Sequence, residues 1–352
     1  MIPVNPLLGT LFHAIGAMSA AVCYTPQKAT RGWSWQTYWL AQASVCWLVL
    51  PVLVAWLTIP ELAAVLQEAP REAMGRTFLL GALYGIGGTA FGLAIRWIGF
   101  SLTYAIAIGI SCVLGTLLPP LVAGQLSDVF GRAGGAWIMG GIAIGATGIL
   151  LSGWAGRNKE IDLGGAQPGF DLRKGLLLSV LAGVLSAVYG FSLAAGQPLA
   201  DTAARHGAGV FEGNVIYIFA NTGAFLTTGV YCLWLHFRHR TLGEYFEIPA
   251  GSQRTTLTAN FGLAVLTGCL WYGQFFFYGL GHVRMGDYKF SSWGIHMIML
   301  VLFSTIIGLL LREWKECRPR TLGALAAALV VLLVAVLALT YGNYLGDTAA
   351  PH

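Results

Sequence analysis

The chain carries formal charge on only 10% of its 352 residues, against 56% hydrophobic residues, with a net charge of +5. A water-soluble domain carries about 25% charged residues, so this balance and a mean hydropathy of +0.69 exclude an ordinary globular fold. The Lys and Arg residues are scattered through short connections, which excludes a nucleic-acid surface, and no connection has room for a soluble catalytic or nucleotide-binding domain.

Ten charge-free apolar segments follow one another near 7–25, 38–59, 77–95, 100–124, 136–154, 175–196, 213–236, 257–282, 291–311 and 321–341. Each approaches the ~20 residues that cross a bilayer. Backbone groups in lipid must be satisfied within the segment, so all ten are predicted as helices of an all-α polytopic membrane protein, numbered here spans 1–10. The opening MIPVNPLLGTL lacks a basic n-region and reads as a retained first span rather than a cleaved signal. Trp33, Trp35 and Trp39, at the start of span 2, read as an interfacial belt. The six cysteines show neither ligand spacing nor a disulfide pattern.

Fourteen Lys and Arg residues fall in the odd-numbered connections, from Lys28 to Arg320. Six fall on the opposite side: Arg71, Arg76, Arg132, Arg205, Arg284 and Lys289. The richer side is expected in the cytoplasm, which puts both termini in the periplasm.

Two internal matches suggest a duplication. FGLAIRWIG (91–99) aligns without a gap on YGLGHVRMG (278–286), and GAMSA (16–20) on GVLSA (183–187). The first pair relates span 3 to span 8, the second span 1 to span 6. This predicts a five-plus-five inverted repeat: residues 1–154 as the first half, 155–174 as the connecting loop and 175–352 as the second half. Five spans is an odd number, so the halves have opposite topology, a transporter signature with a central substrate site.

Span 8 carries its polar residues on one arc. At 100° per residue Trp271, Gln274, Phe275, Tyr278 and His282 share about 100° of the helix surface. Polar groups in hydrocarbon are expensive unless satisfied, so this arc should face a wet cavity or the bundle interior. Asn214, Tyr217 and Asn221 share a face of span 7, Trp293, His296 and Ser304 one of span 9, and Tyr104 and Ser111 one of span 4. Aromatic planes with amides and hydroxyls suit a neutral polyol, the rings covering C–H faces and Gln or Asn serving hydroxyls of either sense. No fixed charge stands in the spans to hold a charged substrate.

Four histidines lie in spans: His13, His236, His282 and His296. With no carboxylate in any span, elimination leaves histidine as the carrier if uptake is proton-coupled, since imidazole titrates near neutrality. His13 and His296 each sit five or six residues into spans of the same direction, about 8–9 Å deep. His282 ends the oppositely directed span 8, and Glu212 begins span 7 on that same membrane face. His236 reads as structural. No short-range spacing supports a metal site, no organic cofactor is called for, and the residues carry no signal for an oligomeric state.

HAIGAMSAAVCYTPQKATRGWSW (13–35), GALYGIGG with FGLAIRWIG (81–99), AIAIGISCVLGTLLPP (105–120) and WYGQFFFYGLGHVR with SSWGIHM (271–297) resemble the bacterial L-rhamnose–proton symporter family of the drug/metabolite transporter superfamily. The resemblance implies ten helices, an inner-membrane location, and uptake of L-rhamnose or a similar methylpentose together with protons. Residues matching the family pattern are His13, Tyr24, Trp271, Gln274, Tyr278, His282, Trp293 and His296. The chain departs from it at Gly88 and Ala90, where asparagines are expected, and at Gln36, where an acidic residue is expected; the middle third, 155–260, matches poorly. Two other classes stay open: another superfamily permease or exporter of small polar metabolites, and an integral-membrane enzyme using His13 or His296. The latter lacks HExxH, paired intramembrane carboxylates and a Ser-His-Asp arrangement.

Overall fold

A computed structural model describes residues 4–122, 124–163, 171–248, 254–286 and 289–349. Among the described residues there is no strand. Ten helices are long and apolar enough to cross a bilayer: Pro6–Ala29, Trp35–Thr58, Arg71–Ile95, Leu102–Val122, Gly135–Asp162, Leu172–Arg205, Gly209–His239, Arg254–His282, Ser291–Leu310 and Pro319–Ala349. They are spans 1–10 in the predicted order. Several run past the predicted ends, because a helix does not have to stop where the hydrocarbon does. The expected connecting loop 155–174 is one case: span 5 stays helical to Asp162, and residues 164–170 lie outside the described residues.

The chain divides into two compact units, each assembled from several stretches. The first comprises Met1–Ala21, Gly87–Phe191 and Phe277–His352; the second comprises Val22–Ile86 and Ser192–Phe276.

In the first unit, spans 5 and 10 pack closely because small residues line their seam. A Cβ on Gly141 would sit 2.7 Å from Leu339 Cγ, and one on Gly148 2.8 Å from Leu332 Cδ2. Spans 9 and 10 are tied by a buried pair: the Asn343 amide donates to Ser291 Oγ at 2.9 Å and to the Leu339 carbonyl at 2.8 Å. Lys159 Nζ, in the last turn of span 5 and over the Trp314 ring, meets Glu313 Oε2 at 3.0 Å just beyond span 9. Ala90 packs with Ala107 and Ala182 in an apolar cluster. At Ala90, where an asparagine is expected, the contacts are hydrocarbon.

In the second unit, Gly81 and Gly223 let spans 3 and 7 touch: a Cβ on Gly223 would lie 2.8 Å from the Ala82 nitrogen. Span 2 changes pitch midway. Its helix Trp35–Ala43 opens into a π-helical turn at Ser44–Val49 before closing again at Leu50–Thr58. Pro51 has no N–H to give the Trp47 carbonyl, and a widened turn is one way a helix accommodates that loss. The N-terminus of span 2 is capped from far along the chain, by Glu244 Oε2, which accepts from the Ser34 N–H at 2.7 Å and from Ser34 Oγ at 2.8 Å. The Gln36 amide donates to Thr241 Oγ1 at 2.9 Å. Outside the spans, His206 sits between two carboxylates, Nε2 at 3.1 Å from Glu68 and Nδ1 at 3.4 Å from Glu61. The hydrogen bond to Glu68 is the main cause that holds its pKa above the ordinary histidine value.

Candidate functional site

The first unit gathers a polar, aromatic cluster from spans 1, 4, 6, 8 and 9. Tyr278 is its hub. Its ring centroid lies 5.2 Å from His13, 5.6 Å from His296, 5.6 Å from His282 and 5.8 Å from Trp293. The His13 and His296 rings are 6.1 Å apart, nearly perpendicular. Both are buried, at 0% and 2% exposure. Among the described residues neither ring nitrogen of His13, nor Nδ1 of His296, has a hydrogen-bond partner. Such orphans are rare in a finished interior, since a lone buried polar atom costs about 1–3 kcal/mol. They mark a place where a proton, a water or a ligand completes the bonding.

Local packing fixes these side chains. Gly281, on the span 8 turn facing span 1, leaves room for the His13 ring: a Cβ there would sit 2.9 Å from His13 Cε1 and Nε2. The Trp293 indole donates to the Ser111 carbonyl at 3.0 Å and to Ser111 Oγ at 3.2 Å, while Ser111 Oγ donates to Ser186 Oγ at 2.9 Å. A Cβ on Gly115 would fall 2.5 Å from the same indole. His282 Nδ1 lies 3.2 Å from Ser292 Oγ.

The second unit holds a separate aromatic cluster. Trp271 is central, its ring 5.3 Å from Tyr24, 5.6 Å from Trp39 and 5.3 Å from Trp47. Trp35 stacks on Trp39 at 4.9 Å. Trp39 is only 2% exposed, so its assignment to an interfacial belt is corrected: it is a wall of this cluster. Gln274 is half-buried in the same unit, and among the described residues its amide has no hydrogen-bond partner.

The remaining expected residues divide. The Tyr217 hydroxyl donates to the Phe275 carbonyl at 2.8 Å, tying span 7 to span 8 beside the aromatic cluster. Asn221 is fully buried on the same span 7 face. Asn214 is spent on structure, its amide donating to Thr58 Oγ1 at 2.9 Å. Tyr104 is not brought to the Trp293 group. It lines a small cavity of about 70 Å³ with Ser152, Lys159, Ser304, Glu313 and Trp314, which also takes Ser304 away from His296. Glu212 is half-buried in the second unit, at the turn before span 7. His236 has both ring nitrogens engaged, Nδ1 at 2.8 Å from Thr241 Oγ1 and Nε2 at 3.4 Å from Tyr245 Oη. Among the described residues no group of three or more His, Cys, Asp or Glu could hold a metal ion.

One residue escaped the sequence reasoning. Gln42 is 1% exposed in the second unit, with its amide nitrogen lacking a partner among the described residues and its oxygen 3.7 Å from Cys46 Sγ. Tyr38, Gln42 and Cys46 follow the same four-residue spacing that exposed the span 8 arc, so the signal was present.

The chain matches the family described as L-rhamnose-proton symport protein (RhaT) over residues 4–344, which takes in the middle third as well. It is 37% identical over 330 residues to a protein named L-rhamnose-proton symporter from Cronobacter sakazakii, covering 93% of this chain and 95% of that one. It is 33% identical over 337 residues to one of that name from Pectobacterium carotovorum, covering 94% and 96%. With one from Mannheimia succiniciproducens the identity is 32% over 341 residues, covering 96% and 98%.

Proposed function

The chain belongs to the L-rhamnose-proton symport family, and from that premise we propose that it imports L-rhamnose, or a similar methylpentose, together with protons across a bacterial inner membrane by alternating access. It is a transporter rather than an enzyme. The coupling ion is the proton, and no organic cofactor takes part.

The observation that carries the coupling is the His13–His296 pair: two buried imidazoles 6.1 Å apart, with three ring nitrogens unpartnered and Tyr278 against both rings. Two charges across so short a gap in a low dielectric repel each other, so the pair carries no more than one proton at a time. Sugar recognition is assigned to Trp271 with its aromatic neighbours and to the open amide of Gln274, with Asn221 added from span 7 and Tyr217 fixing span 8. A pyranose presents C–H faces to the rings and hydroxyls to the amides.

The five-plus-five inverted repeat, with its halves at 1–154 and 175–352, is supported by two features. Gly99 and Gly286, aligned in the internal match, both take the left-handed conformation, with φ of +79° and +59°. Partner spans also share the same fate: spans 4 and 9, and spans 5 and 10, belong to the first unit, spans 2 and 7 to the second, and spans 3 and 8 each contribute to both. The Lys and Arg distribution supports periplasmic termini, which puts the histidine cluster toward the outer face.

Calorimetry of L-rhamnose binding at about pH 6 and about pH 8 tests the assignment, since imidazole changes charge between them. Wild type binds more tightly at the lower pH, and His13→Ala abolishes the difference. Binding indifferent to pH and to the substitution would remove His13 from the coupling.

A further inference from the structure

We propose that protons reach the His13–His296 pair from the outer face through His282 and Tyr278, entering from a water-filled cavity bordered by Lys289. This route deepens the coupling mechanism proposed above and rests on it.

Two buried imidazoles need a path to water. Inward along span 9 the next residues are Met297, Ile298, Leu300 and Val301, all buried and apolar, which offers no carrier. In the opposite direction titratable rings follow one another. Tyr278 touches both imidazoles and stacks on His282, the two planes only 17° apart. His282 is held by Ser292 Oγ through Nδ1 and by a hydrogen bond with the main chain of Lys289. Lys289 in turn lines a cavity of 340 Å³ with Phe290, Gln125, Asp128 and Arg132. The Gln125, Asp128, Arg132 and Lys289 side chains are exposed. One water needs about 10–15 Å³ on this kind of measure, so the cavity is a solvated vestibule.

The groups along the route suit proton transfer. An imidazolium at His282 gives its proton to the Tyr278 oxygen as the Tyr278 hydroxyl proton passes to a nitrogen of His13. The phenol is restored, His282 returns to neutral, and the charge has moved inward by one step. The rings stand 5.2–5.6 Å apart centre to centre, so each transfer requires a bridging water or a side-chain rotation that brings the phenol oxygen to an imidazole nitrogen. The charged and titratable groups facing His282 are Lys289, Tyr278 and His13. Arg284 is turned aside, bonded to the Leu280 carbonyl and stacked over Phe12. No carboxylate bears on the three histidines among the described residues. A cation at the mouth therefore works against proton entry, and its sign is an adjustable control.

The test uses the full chain in proteoliposomes with a pH-sensitive dye inside. An inward rhamnose gradient is applied and luminal acidification followed across pH. Wild type acidifies the lumen. Tyr278→Phe, which keeps the ring and removes the relay oxygen, and His282→Gln each slow acidification by an order of magnitude or more. Lys289→Glu, at an exposed side chain that tolerates change, moves the pH midpoint of acidification upward and keeps the route testable if an interior variant misfolds. Acidification at the wild-type rate in both interior variants, or an unmoved pH profile in Lys289→Glu, would overturn the route and leave the symport intact. Rhamnose binding without any proton movement in wild type would overturn the coupling and the route together.

Discussion

Gly281→Ala places one methyl group between the proton carrier and the Gly9 carbonyl. The new Cβ would lie 2.9 Å from His13 Cε1 and Nε2 and 2.8 Å from the Gly9 carbonyl oxygen. Carbon atoms rest at about 3.5–4.0 Å from one another, so the ring has to retreat by about 0.6–1.1 Å. The Gly9 carbonyl blocks the alternative of shifting the helix. Overpacking of this kind costs about 1–3 kcal/mol, and a displacement near 1 Å at a reacting group is enough to slow a step about a hundredfold. The assays are thermal unfolding in detergent and rhamnose uptake driven by a pH gradient. The substitution lowers both. In a His13→Ala background two of the three crowded atoms are gone, and the stability penalty shrinks by about 1 kcal/mol, the usual size of coupling between residues in contact. An equal penalty in both backgrounds would refute the placement of the His13 ring against Gly281.

Gln274→Ala removes an amide that no described residue uses, so rhamnose affinity falls roughly tenfold, about 1.4 kcal/mol, while thermal stability stays where it was; unchanged affinity by calorimetry would take Gln274 out of the sugar site. Trp293→Phe deletes the indole donor to the Ser111 carbonyl and hydroxyl; the carbonyl keeps its helical bond, so stability falls by about 0.5–1.5 kcal/mol in a chemical-denaturation series, and a neutral change would show the hydrogen bond contributes nothing. His206 supplies a pH-dependent tie between its two carboxylates. Its pKa is raised on folding by Glu68, so the tie is fully present below the unfolded histidine value and is lost as pH rises through the higher folded value. Thermal stability therefore declines across that window, and Glu68→Gln flattens the decline; an unflattened profile would show that Glu68 does not hold the proton there.

The ten spans were legible because lipid tolerates neither charge nor unpaired backbone, and both constraints write themselves along the chain. The histidine cluster was legible for a related reason: Tyr278 and His282 sit four residues apart, and counting depth along spans 1 and 9 brought His13 and His296 to one level. What stayed hidden depended on partners remote in sequence. Trp39 satisfies an interface and an aromatic core equally well, and only the 5.6 Å approach of Trp271 decides between them. Asn214 and Asn221 look alike two helical turns apart, yet Thr58 claims the first. Tyr104 shares a face with Ser111 but is drawn to the Lys159–Glu313 cavity, which no local pattern announces. The Glu244 cap on span 2 comes from 210 residues away.

The central claim is that rhamnose movement is tied to a proton held by His13 and His296. The most direct measurement is rhamnose accumulation in proteoliposomes whose lumen is made alkaline, for wild type and for His13→Gln and His296→Gln. Accumulation above the external concentration in wild type, collapsed by a protonophore and lost in both variants, is the predicted result. Accumulation that survives both substitutions, or simple equilibration indifferent to the pH gradient in wild type, would contradict it.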